Sequence, residues 1–128
     1  MTDTNVLISI FLFPNAQMKR LINEITIENT LVLSSCILDE LKAVVHRKFS
    51  HKADELDYFL SQISYEFCYV PEKYPKNLFK IRDAKDYPVM YSAVYSKVDL
   101  FITGDKDFLD IDIEKTEILT PQQFLNKY

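Results

Sequence analysis

"LFITGDKDF", residues 100–108, sets a short apolar run against the only glycine of the chain and two closely spaced aspartates. A continuous apolar run, rather than an alternating one, is the pattern of a central parallel strand covered on both faces. In open α/β sheets ligands bind outside the carboxyl ends of the strands, where the chain must turn tightly. Gly104 therefore reads as the bend at which a left-handed or closely approached backbone costs least, presenting Thr103, Asp105 and Asp107 at the carboxyl rim.

Outward from this stretch, short β-like runs alternate with helical patterns, which implies a parallel sheet. "TLVLSS" (30–35) reads as a strand, and in "SCILDELKAVVHRKF" Ile37, Leu38, Leu41, Val44, Val45 and Phe49 fall at helical spacing, with Ser34 or Ser35 as cap. "KADELDYFLSQISYE" reads as a helix with Leu56, Phe59, Leu60 and Ile63 on one face, "FCYVP" as a strand and residues 72–88 as a charged loop. A helix over 88–97, the strand "DLFIT", a helical turn at "KDFLD", the strand "TEILT" and a helix opened by Pro121 complete the chain.

The 128 residues, 48% hydrophobic, fit one domain (1–128) able to bury a core without disulfides. Apolar runs such as "VLISIFLF" are shorter than a membrane span and no export signal precedes them, so a soluble, cytoplasmic protein is expected. Cys36 and Cys68 have no metal-type spacing and read as buried, reduced thiols. A net charge of −4 argues against coating nucleic acid by bulk electrostatics, but not against a local basic patch or an acidic site that meets nucleic acid through cations.

The acids are the informative residues. Asp3 opens "DTNVLIS" and marks the end of a very short first strand, at the carboxyl rim. On the helix after "TLVLSS", Glu40 lies about 100° from the centre of the apolar stripe and borders the rim, whereas Asp39, about 160° away, faces solvent. Asp86 precedes Pro88 at a helix start, where an aspartate also serves as a plain cap, and neighbouring Asp83 is a lesser candidate for the same role. Collecting these acids is costly, since two unit charges about 4 Å apart repel by about 4 kcal/mol at an effective dielectric of about 20. A hard divalent cation offsets that repulsion, and Asp and Glu oxygens suit Mg²⁺ or Mn²⁺. Such ions activate water and neutralise charge on a phosphodiester, so metal-assisted phosphodiester hydrolysis is the chemistry suggested.

"MTDTNVLIS", "SSCILDELKAVVHRKF" and "RDAKDYPVMYSAVYSKVDLFITGDKDFL" together resemble, in order, the three motif blocks of PIN-domain proteins, most closely the VapC-like toxin components of bacterial toxin–antitoxin systems. The resemblance implies a three-layer α/β/α sandwich with a central parallel sheet, acting as a Mg²⁺- or Mn²⁺-dependent ribonuclease on RNA, with an antitoxin as partner and a homodimer as the assembly. It implies that Asp3, Glu40, Asp86 and Asp105 are the catalytic, metal-binding acids, with Asp107 a more variable further ligand and Asn5 and Thr103 supporting polar residues. Two features depart from the family: only Met1 and Thr2 precede the first aspartate, and "YSKVDL" stands where a glycine-rich turn is usual.

Basic residues suggest substrate contacts. Arg47 lies seven residues beyond Glu40 on the same helix face, in "HRKFSHK" (46–52); with Lys48 it can hold an RNA phosphate, or simply end the helix. Lys73, Lys76, Lys80, Arg82 and Lys85 form a second strip, and Tyr74, Tyr87 and Phe108 are candidates for stacking on bases. His46 and His51, five apart, do not align as a metal pair. A receiver-type phosphoacceptor domain needs adjacent acids after the first strand and a lone aspartate ending the third, which "DTN" and Pro71-Glu72 do not supply. Asn5 disfavours a two-aspartate phosphatase, and the presence of all four core acids counts against a decayed binding module.

Overall fold

The computed structural model describes residues 1–128. Strand β1 (Val32–Ser34) pairs in parallel with β2 (Glu66–Cys68), and β3 (Leu100–Ile102) in parallel with β4 (Glu117–Leu119). Residues 1–3 pair with the opposite edge of β3: the Ile102 amide donates to Met1 O (2.9 Å) and the Asp3 amide to Ile102 O (3.0 Å), while the Thr103 amide donates to Leu119 O in β4 (2.8 Å). Successive residues of a parallel strand address opposite neighbours, so β3 lies between the amino-terminal segment and β4. Its side chains confirm the central position expected from their unbroken apolarity: Phe101, Ile102 and Thr103 are buried.

Seven helices complete an α/β sandwich: α1 (Thr4–Leu12), α2 (Ala16–Ile27), α3 (Ser35–Lys48), α4 (Ala53–Gln62), α5 (Tyr87–Tyr95), α6 (Lys106–Leu109) and α7 (Pro121–Lys127). Helix α3 touches α1, α4 and α5, and α2 joins α1 to α7. The α3 stripe faces inward through Ile37, Leu38, Leu41 and Val45, and Ser34 caps the helix by accepting from the Ile37 amide (3.1 Å). Leu7, Leu21, Leu33, Ile37, Leu41 and Phe101 are fully buried, each worth about 2 kcal/mol over an exposed position. Pro121 opens α7 inside a capping box made by Thr120 and Gln123. No helix is long and apolar enough to cross a membrane.

Two readings need correcting. Helix α2 has no assignment in the periodicity above, although Asn15 caps it and Met18, Leu21 and Ile25 bury one face. Gly104 has neither a positive φ nor a close neighbour: a Cβ there would meet nothing within 4 Å. The left-handed positions belong instead to Lys97 (φ 55°) and Lys115 (φ 72°). Lys97 follows α5, where its amide donates to Val94 O (3.2 Å) and the Val98 amide to Ala93 O (3.3 Å), the paired bonds of a helix end that glycine usually makes.

Candidate metal centre

Asp3 ends the amino-terminal segment with extended backbone and caps α1. One carboxylate oxygen accepts from the Val6 amide (2.9 Å), the other from the Thr103 hydroxyl, and the residue is 3% exposed. Thr103, fully buried at the end of β3, accepts in turn from the Asp105 amide (3.0 Å), and Asp105 Oδ1 accepts from the Asp107 amide (2.9 Å) as the cap of α6. A polar chain thus runs Asp3, Thr103, Asp105, Asp107 from the amino-terminal segment to the rim of the central strand.

Asp86 enters from the other side, on the 3-10 turn Ala84–Asp86 ahead of α5. Its carboxylate caps neither the turn nor the helix; the turn is capped by Asp83, which accepts from the Lys85 amide (3.0 Å), and α5 has no side-chain cap. The capping alternative for Asp86 therefore fails. One carboxylate oxygen from each of Asp86, Asp105 and Asp107 lies within 4.8 Å of the other two. Glu40, exposed on the second turn of α3, is outside this tight group but close enough for its charge to act on both Asp3 and Asp86.

The electrostatics record the crowding. Burial pushes Asp3 up to about 6, with the negative charges of Asp105 and Glu40 adding to it and the bonds from Thr103 and Val6 opposing it. Asp86 is also pushed up to about 6, by burial first and then by Asp105, Asp83, Glu40 and Asp107. Asp107 is displaced the other way because Arg82 grips it with a two-pronged fork, Nε to Oδ1 at 2.8 Å and Nη2 to Oδ2 at 3.0 Å. Sequence reasoning placed Arg82 only in a basic strip; its position in "RDAKD", beside the acids, was the available signal.

The donor set fits a hard divalent cation. All converging ligand atoms are carboxylate oxygens, Asp86 is not committed to a cap, and mutual repulsion is the defect that a cation would relieve. Asp86, Asp105 and Asp107 are the residues that would hold it, with Asp3 and Glu40 on the border. Asn5 is exposed and lines, with Gly104 and Asp105, an adjoining cavity of about 390 Å³.

The other candidates contribute no ligand to the acidic group. Arg47 and Lys48 are exposed in the last turn of α3, and neither pairs with an acid. Phe108 is buried, 5.4 Å from Phe101 centroid to centroid, so it belongs to the core and offers no face for a base. Cys36 and Cys68 are free thiols, but half-buried rather than fully buried.

Comparison with curated proteins gives no match. A family model does match: the PIN domain, over residues 1–107, which takes in the amino-terminal segment, α3, α5, β3 and every acid of the cluster. The chain belongs to the PIN-domain family, whose members are in general metal-dependent nucleases.

Proposed function

We propose that this protein is a Mg²⁺- or Mn²⁺-dependent endoribonuclease and the toxin of a type II toxin–antitoxin pair, acting in the cytoplasm as a homodimer restrained by its antitoxin. The observation that carries the nuclease is the convergence at the carboxyl rim of Asp86, from the turn before α5, with Asp105 and Asp107, from the turn after β3, while Asp3 and Glu40 add charge to the same place. Family membership supports the metal-dependent chemistry. The toxin role, the antitoxin and the dimer are supported by the likeness of the three motif blocks to that branch of the family.

In this reading Asp86, Asp105 and Asp107 supply the metal ligands, Glu40 borders them, and Asp3 acts from beneath. The Thr103 hydroxyl bridges the buried Asp3 carboxylate and the Asp105 amide, so Asp3 fixes the turn on which Asp105 and Asp107 sit. A divalent ion bound there supplies an activated water and neutralises the charge that builds on the phosphodiester. Asn5 stands at the adjoining cavity, where it can orient the substrate. Arg47 and Lys48 are free to meet RNA phosphates farther along α3.

The test is cleavage of a mixed single-stranded and hairpin RNA pool by the purified protein in Mn²⁺, with fragment ends read out. EDTA and Asp105→Asn are each expected to reduce cleavage by roughly a hundredfold or more. Cleavage that survives both would remove the acids from the chemistry. Absence of both cleavage and Mn²⁺ binding would leave a PIN-like binding module instead.

A further inference from the structure

Past Asp86 the surface holds a second concavity, of about 580 Å³, whose walls are Tyr74, Phe79, Tyr87 and Pro88, with Lys76 and Lys80 beside them. It lies between the loop after β2 and the start of α5, and Ala84, from the same 3-10 turn as Asp86, also lines it. None of the acids contributes to it, yet it begins one residue from one of them.

The walls are built and held. The Phe79 and Tyr87 rings stack at 4.4 Å and 15°, Tyr74 and Tyr91 at 4.6 Å and 17°, and Tyr74 lies within 8° of parallel to Tyr87. The Tyr87 hydroxyl donates to Pro75 O (2.6 Å) and accepts from the Leu78 amide (3.3 Å), fastening the loop to α5. Arg82 ties the far end of the loop to Asp107. Tyr74 and Phe79 are only half-buried and keep part of their surface toward solvent.

Charge narrows the choice of occupant. Residues 73–85 carry Lys73, Lys76, Lys80, Arg82 and Lys85 against the single acid Asp83, in a chain whose net charge is −4. Neither Lys76 nor Lys80 is in an ion pair. Flat, nearly parallel aromatic walls with free ammonium groups at the mouth suit a planar base joined to a phosphate, and only an unpaired base offers its face for stacking.

We propose that this cavity is a nucleobase subsite that takes the base of an unpaired nucleotide flanking the phosphodiester at the acidic cluster, stacked against Phe79 and Tyr74, with Lys76 and Lys80 on its phosphate. The proposal rests on the ribonuclease reading for its substrate, but its test does not require cleavage. Uridine and adenosine 5′-monophosphates are titrated into the protein in EDTA and followed by amide NMR, with ribose 5-phosphate as the control that lacks a base. Saturable shifts centred on residues 74–88 are expected with the nucleotides and not with ribose 5-phosphate. Phe79→Leu and Lys76→Ala/Lys80→Ala, checked for unchanged thermal unfolding, should each weaken binding at least severalfold. For single-stranded RNA in Ca²⁺, losing both lysines from that phosphate should lower the slope of log affinity against log salt by about 0.7.

Equal shifts with ribose 5-phosphate, shifts confined to other residues, or no binding at millimolar nucleotide would overturn the subsite even in a protein that cleaves RNA. So would capture of the same face by an acidic peptide while nucleotides fail. Specific nucleotide shifts in a protein that cleaves nothing would uphold the subsite and refute the nuclease.

Discussion

Asp3 is the acid whose environment makes the sharpest demand. It is 3% exposed, and its carboxyl is shifted from 3.8 to about 6, which at about 1.36 kcal/mol per unit is roughly 3 kcal/mol against the ionised form. The folded value lies above the unfolded one, so the associated stability is fully present below pH 3.8 and is lost as the pH rises through about 6. Asp3→Asn removes the charge and keeps the shape. The Asn oxygen can still accept from the Val6 amide, but its NH₂ meets Thr103 Oγ1, which already accepts from the Asp105 amide, so the hydroxyl must turn away at a cost of about 1 kcal/mol. Without divalent metal, the variant should therefore be more stable than the parent by about 2 kcal/mol at pH 8, or roughly 6–10 °C in Tm. At pH 5 the parent regains about 1.4 kcal/mol by protonating Asp3, and the advantage shrinks to about 0.6.

Urea unfolding in EDTA at both pH values measures this. Protein is kept dilute at the lower one, because the isoelectric point is about 5.1. Asp86 also contributes to the parent's pH dependence, but it is present in both proteins and half exposed, so the difference of differences isolates Asp3. Adding Mn²⁺ at pH 8 should stabilise the parent more than the variant and narrow the gap. A variant less stable than the parent at pH 8, or a gap that does not change with pH, would refute the claim that burial and like charge set the behaviour of Asp3.

Further outcomes follow from the turns and from Arg82. Gly104→Ala should be neutral or stabilising by up to about 1 kcal/mol, since the backbone is ordinary and the Cβ enters open space, while Lys97→Gly should stabilise by about 1 kcal/mol by relieving a left-handed lysine; thermal melts decide both, and destabilisation in either would contradict the backbone described above. Arg82→Ala breaks a solvent-exposed fork and should leave the thermal unfolding midpoint nearly unchanged. It should also tighten Mn²⁺ binding by calorimetry roughly three- to tenfold, because a cation leaves the cluster; weaker binding would show instead that Arg82 is needed to hold Asp107 in place.

The order of strands and helices was legible because most elements keep their period: "LFIT" is continuously apolar up to Thr103 and central, and the α3 stripe is buried at Ile37, Leu38, Leu41 and Val45, while Val44 and Phe49 stay partly exposed. Helix α2 was legible by the same rule, since Asn15 caps it and Met18, Leu21 and Ile25 recur at helical spacing, and packing on α1 and α7 buries that stripe. The acids were legible for a chemical reason, since carboxylates gathered at a sheet's carboxyl rim repel one another and are costly to keep together. What could not be read was how charge is shared among them. The fork from Arg82 to Asp107 spans 25 residues, and the burial that sets Asp3 apart from Asp105 depends on neighbours brought from the other end of the chain.

The glycine shows where composition misleads. Its rarity suggested a backbone need, but backbone need is a matter of φ, and the two positions with left-handed φ hold lysines. The bend after β3 is made by side chains: Thr103 accepts from the amide two residues on, and Asp105 does the same for Asp107. Those two bonds suffice to turn the chain, so glycine at 104 adds no conformation that alanine would lack. What it adds is space. The missing side chain leaves open the cavity shared with Asn5 and Asp105, and any larger residue would project into the approach to the acids. A substitution that fills this space without disturbing the fold is therefore expected to act on substrate access, and the absence of a Cβ at Gly104 belongs to the site rather than to the turn.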